Sequence, residues 1–150
     1  MASGFYESGF QAMNGLFDLD TSTVKIMLLK DTYTYDPDTA SLTALAAAEC
    51  NATNYTGGFA GAGRKTATIT SQQNTVSNRW DWAIADLTWT ALGGAANNTL
   101  GGCALVFENT NDASSTPIAF FAFTGFTTNG SDVTLDFATL ALGGNLRLAA

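Results

Sequence analysis

From Thr23 to Leu29 the chain alternates, but with apolar groups on both faces. Val24, Ile26 and Leu28 point one way, and Met27 and Leu29 follow Lys25 on the other. Apolar groups on both faces predict a strand in a sheet interior rather than at an edge. Residues 31–39 then read as a turn around Asp36-Pro37-Asp38. Further strands are predicted at 63–71, 76–85, 87–91, 102–108, 117–123, 132–137 and 145–148. Gly93-Gly94, Asn97-Asn98, residues 109–115, Asn129-Gly130 and Gly143-Gly144 separate many of them as turns, some requiring positive φ. Short strands at a spacing of roughly 8–12 residues with such turns predict an antiparallel β-sandwich or barrel. Two segments depart from the β pattern. Residues 41–50 carry Leu42, Leu45 and Ala46 on one stripe behind Ser41 as a capping residue, which predicts a short helix crossing one end of the sheets. Residues 8–16 read as a weak helix or as part of an extended N-terminal arm docking on a neighbouring subunit, since Phe10, Met13 and Phe17 share a side but two glycines interrupt it. The expected organisation is an arm or short helix at 1–17 and one mainly β domain at 18–150.

At 150 residues the chain can bury a substantial core. Its 46% apolar content separates it from disordered segments. Charged residues make up only 13%, about half the usual share of about 25%, so Thr, Ser, Asn and Gly supply the polar surface. The net charge of −7 and the scattering of six cations, only Arg64 and Lys65 being adjacent, argue against nucleic acid and against anionic membranes. Residues 1–14 lack the basic and apolar regions of a secretory leader, and no apolar run is long enough to span a bilayer. Cys50 and Cys103 are expected as buried thiols, with one disulfide between them as the alternative. The four Asn-x-Ser/Thr sequences, at Asn51, Asn54, Asn97 and Asn129, are expected by chance in such a composition.

Histidine is absent, which removes the commonest general base and the commonest zinc ligand. The glycine-rich run 57–63 lacks the Lys-Ser/Thr that completes a phosphate cradle and reads as a flexible loop or bulged strand. Asp18/Asp20, Asp36/Asp38 and Asp81/Asp86 are the carboxylate pairs from which a glycosidase-like centre or a loop calcium site could be assembled. Their short spacing reads better as turn chemistry. No catalytic residue, cofactor or metal is expected. Trp80 and Trp82 share a strand face, and Trp89 continues that region. They are expected in the core or at a subunit interface, with a sugar-stacking platform as the alternative. Residues 118–123 are apolar on both faces, so one face fills the core and the other meets a second layer or another subunit. The candidate interface residues are therefore Phe5, Phe10, Met13, Trp80, Trp82, Trp89, Phe121 and Phe123, in an expected homo-oligomer.

The order of short motifs also carries a resemblance. An Asp18-x-Asp20-Thr21-x-Thr23-Val24-Lys25 opening leads to an apolar strand and the turn Asp31-Thr32-Tyr33, then to the helix-prone 41–49. Tyr55-Thr56-Gly57-Gly58, Asp86-Leu87-Thr88-Trp89, the strands within 104–123 and the closing 129–148 follow. This order resembles small β-rich structural proteins of tailed-bacteriophage virions. The resemblance implies a non-enzymatic capsid decoration (cement), minor head or small tail protein, made in the host cytoplasm and located in the virion. Its implied partners are the major capsid protein and copies of itself. It also implies Asp86 and Trp89 as strand anchors and residues 55–58 as a close backbone approach. The alternatives are a glycan-binding adhesin of a tail tip or fibre, and a tail-tube or connector subunit.

Overall fold

The computed structural model describes residues 3–9, 22–75, 79–137 and 145–149. The fold is mainly β and sandwich-like, and its strands pair antiparallel. Strands β1 (Gly4–Phe5), β2 (Val24–Lys30), β3 (Lys65–Thr66), β7 (Thr99–Phe107) and β8 (Thr116–Thr127) form a five-stranded sheet in the order β1-β8-β7-β2-β3. β4 (Ile69–Asn74), β5 (Arg79–Ile84) and β10 (Asn145–Ala149) form a second sheet with β5 in the middle. β6 (Leu87–Leu92) and β9 (Ser131–Leu135) form a third, two-stranded one.

The double-faced pattern of β2 is used as it reads. Val24, Ile26 and Leu28 enter one apolar layer with Cys103, Leu105, Phe121, Trp89, Leu135 and Phe137. Met27 and Leu29 enter a second layer with Ala104, Val106, Phe120, Tyr6, Tyr33, Leu42 and Leu45. β6 and β9 thus cover one face of the main sheet, while the segment 31–48 and Tyr6 cover the other. β2 lies inside the sheet, and beyond its short pairing with β3 the chain itself closes its outer edge. The Cys50 N–H donates to Leu28 O (2.9 Å), the Ala67 N–H to Val24 O (2.9 Å), and Glu49 bridges to Leu29.

The second face of β8 is met by the chain's own residues. Phe120 lies against Tyr33 edge-to-face (centroids 5.2 Å) and stacks on Tyr35 (5.7 Å, 10°). Of the two outcomes expected for 118–123, a second layer or another subunit, the layer is present. The case for oligomerisation drawn from that segment therefore lapses.

Residues 41–50 are helical, but as two short 3-10 turns, Leu42–Ala44 and Ala46–Ala48. The three-residue period sets Leu42 and Leu45 on one side, both fully buried. Ser41 makes no side-chain cap, and Glu49 turns extended to bridge β2, which ends the helical path. At the N-terminus, Gly4 and Phe5 pair with Phe120 and Ala119 of this same chain, so this part of the predicted arm docks at home. Residues 7–9 are helical, and the rest of the segment at 8–16 lies outside the described residues.

The N-terminal segment is pinned by tyrosines. Tyr6 is fully buried and its hydroxyl pairs with that of Tyr33 at 2.8 Å, while the Tyr35 hydroxyl donates to Phe5 O. Removing either member of the buried pair strands the other hydroxyl, at about 1–3 kcal/mol. Tyr6→Phe and Tyr33→Phe should each destabilise the chain to that extent in urea unfolding. The double variant should lose clearly less than the sum, because one bond is shared. Strictly additive losses would show that the two hydroxyls do not pair in solution.

Candidate functional site

The densest polar constellation is built around Arg64, a residue that is only 2% exposed. It follows Gly63 at the end of the glycine-rich run and directly precedes β3. Its five N–H groups all find carboxylate oxygens. Nε and Nη2 form a fork with Glu49 (2.8 Å each), Nη1 reaches Glu108 (2.9 Å) and Asp112 (2.6 Å), and Nη2 reaches the second oxygen of Asp112 (3.2 Å). Lys25 adds a bond to Glu108 at 2.5 Å. Burial alone would lower the Arg64 pKa. The hydrogen bonds it donates to Glu49 and Asp112 outweigh burial and raise the pKa above its ordinary value, so the guanidinium stays charged.

The carboxylates also organise backbone. The Gly58 N–H donates to Glu49 Oε2 (2.9 Å), the Ala60 N–H to Glu108 Oε1 (3.3 Å), and the Tyr55 hydroxyl to Glu49 Oε1 (3.2 Å). Tyr55 in turn accepts the Leu28 N–H (3.2 Å). A Cβ at Gly57 would stand 2.9 Å from the Glu49 carboxyl carbon, and one at Gly63 would stand 2.7 Å from the Tyr55 ring. The run 57–63, expected as a flexible loop or bulged strand, is instead a packed turn wound against buried carboxylates. At Gly57 the backbone itself passes close to the Glu49 side chain. At the tip of this turn Phe59 is 42% exposed, the exposed large apolar side chain among the described residues.

The carboxylate pairs do other work. Asp36 Oδ1 accepts the Asp38 N–H (3.0 Å), an Asx turn of the kind the spacing suggests. Asp86 Oδ1 accepts the Phe137 N–H (3.1 Å), tying the start of β6 to the end of β9. Asp18 and Asp20 lie outside the described residues, as does the side chain of Asp81. Among the described residues no group of three or more Cys, Asp or Glu is placed to hold a metal ion. No described helix is long and apolar enough to cross a membrane.

The candidate interface residues separate. Phe121 is fully buried and meets Phe137 edge-to-face, and Trp89 is 2% exposed with its Nε1–H donating to Gly63 O at 2.7 Å. Both are interior residues and offer no surface to a partner, because the β6–β9 sheet closes over them. Phe5, Trp82 and Phe123 are partly buried and pack against the same core. Phe10, Met13 and the Trp80 side chain lie outside the described residues. The three tryptophans therefore do not form one exposed platform, since Trp89 faces inward. The residues that sequence reading missed are Glu49, Glu108 and Asp112 as partners of Arg64. They lie 15, 44 and 48 positions from it, too far apart for any local pattern to connect. The chain matches no protein-family model, no curated protein and no solved structure.

Removing one partner from a buried ion network leaves the others uncompensated, at about 3–5 kcal/mol. Arg64→Ala should lower unfolding stability by that amount, whereas Lys25→Ala, at the more exposed end, should cost under about 1 kcal/mol. Equal losses would mean that the network is not centred on Arg64. A second expectation concerns pH. Burial raises the pKa of Cys103, Cys50, Tyr6 and Tyr55, and the Glu49 charge raises Tyr55 further. Above about pH 8.5 for Cys and about pH 10 for Tyr, the unfolded chain releases protons that the folded chain keeps, so stability falls with rising pH. Urea midpoints should hold up to about pH 8.5 and then decline through about pH 10.5. A flat profile would contradict burial of these groups.

Proposed function

We propose that this chain is a non-enzymatic structural protein that works by docking onto other proteins, and that its setting is the capsid of a tailed bacteriophage, as a decoration protein. The observation that carries the docking role is Phe59. An exposed aromatic ring stands on a turn whose amides on either side, at Gly58 and Ala60, are fixed by buried carboxylates. A preorganised aromatic anchor loses little entropy on binding, and such residues dominate interface energetics. Supporting this reading further, Lys25, Glu49, Arg64, Asp86, Glu108, Asp112 and Asp132 spend their charged groups on bonds within the fold. The surface is otherwise rich in uncharged Thr, Ser and Asn, suited to close packing against protein neighbours. The phage setting itself rests on the order of short motifs in the sequence.

The partner surface follows from charge. Around the turn the carboxylates Glu49, Glu108 and Asp112 are balanced by Lys25, Arg64 and Lys65, so the field a partner meets is that of the whole chain, with its net charge of −7. The complementary site is an apolar socket with a basic rim on the capsid surface. Presented in many copies on a lattice, modest single contacts add up to firm attachment.

The chain should bind purified, expanded, undecorated capsids of the encoding phage and raise their thermal rupture threshold. Phe59→Ala should weaken that binding about tenfold or more while leaving the melting temperature unchanged. Failure of the unmodified chain to bind or to stabilise capsids would refute the decoration role. Undiminished binding by Phe59→Ala would refute Phe59 as the anchor.

A further inference from the structure

Beside the exposed Phe59 ring lies a backbone conformation that alanine does not favour. The Gly61 N–H donates to Gly58 O at 2.9 Å, which closes a β-turn with Phe59 and Ala60 as its central residues. Ala60 has a φ of 57°, whereas the φ of Phe59 is not positive. Negative then positive φ at the two central residues is the pattern of a type II turn. Its third position normally carries glycine, because a side chain there is strained. Alanine in that place favours a type I turn, in which both central φ values are negative. The two types differ chiefly by a half-rotation of the peptide between the central residues, here Phe59–Ala60.

Glu108 decides which way that peptide faces. In the observed orientation the Ala60 N–H donates to Glu108 Oε1 at 3.3 Å. The flipped peptide would turn the Phe59 carbonyl towards the same carboxylate, replacing an attraction with a repulsion. Glu108 is itself fixed, since Arg64 Nη1 holds Oε1 at 2.9 Å and Lys25 Nζ holds Oε2 at 2.5 Å. The Phe59–Ala60 peptide is trans, so its C=O points opposite to its N–H and away from Glu108. Among the described residues none donates a hydrogen bond to that oxygen. Glu49 plays no such part. Its bond to the Gly58 N–H (2.9 Å) holds a residue that takes its φ of 81° without strain.

We propose that Glu108 is the positioning residue of this turn: it selects the strained orientation of the Phe59–Ala60 peptide and so presents the Phe59 ring together with the Phe59 carbonyl oxygen to the partner. Resting on docking through Phe59, this selection adds what the socket must carry, a hydrogen-bond donor beside its apolar wall. A lysine or arginine of the basic rim supplies one. A socket that offers only acceptors would bury the carbonyl unpaired, so the same orientation discriminates against it.

The test is nuclear magnetic resonance of the isotope-labelled full chain without any partner. The observed orientation sets the Phe59 Hα against the Ala60 amide hydrogen, whereas the flipped one brings the Phe59 and Ala60 amide hydrogens together. The unmodified chain should give the first contact as the strong Overhauser effect. Glu108→Ala should move the turn to the second. Adding Ala60→Gly to Glu108→Ala should restore the first, because glycine takes positive φ unaided. A general loosening of the fold would not be reversed by a change at position 60. In the capsid assay Glu108→Ala should bind about tenfold more weakly, and the double variant should recover most of that loss. The adjacent-amide contact in the unmodified chain would overturn the proposal, whether or not Glu108→Ala folds. A folded Glu108→Ala chain that keeps the first contact would overturn it too. Absence of capsid binding by the unmodified chain would refute docking through Phe59 instead, and the contacts in the free chain would still decide what Glu108 does.

Discussion

The Arg64 guanidinium sets the constraint on which the loop side of this domain depends. A buried cation must have every donor answered, and answering five donors draws carboxylates from three distant parts of the chain. Glu49 brings the end of the second 3-10 turn. Glu108 brings the end of β7, and Asp112 the loop leading to β8. The Leu42 N–H donates to Asp112 O (3.1 Å), so the same corner also seats the segment that roofs the second apolar layer. The turn 57–63 has its shape because its Gly58 and Ala60 amides bond to those carboxylates. A Cβ would collide with Glu49 at Gly57, with backbone carbonyls at Gly61 and with the Tyr55 ring at Gly63, and Gly58 has a φ of 81°.

The five-stranded sheet is apolar on both faces, and a single chain of this length has to cover both. It does so unequally. One face receives regular structure, with β6 and β9 bringing Trp89, Leu135 and Phe137. The other receives an irregular strap rich in tyrosine, which suits the place because its rings fill the layer while its hydroxyls find partners there. This solution covers both faces of the sheet around β2, β7 and β8 with the chain's own residues. Among the described residues, the large apolar side chain left exposed is Phe59.

Much of the β architecture was legible in the sequence. Period-two alternation and Gly/Asn turns locate a strand in most of the places where one is found, and the double-faced run at 23–29 correctly marks an interior strand. The turn role of Asp36 and Asp38 was legible too, because an Asx turn is a local bond between neighbours. The helix at 41–50 was legible as helical in kind but not in form. Propensity speaks for the segment alone, while the need of Glu49 to reach β2 and Arg64 shortens it into 3-10 turns. Trp89 and Phe121 illustrate the opposite limit. A large aromatic side chain serves a core and an interface equally well, and only the closing of the β6–β9 sheet makes these two interior.

By itself the sequence determined the class of fold, the low charge, the absence of histidine and the positions of turns, because these follow from composition and from interactions a few residues long. The tertiary structure alone decided which carboxylates meet Arg64, and which of the described aromatic side chains are interior and which exposed. Each of those outcomes depends on groups 15 to 48 positions apart, or on strands that part to different sheets. The spacing of residues along a chain carries no record of such a meeting until the chain has closed upon itself.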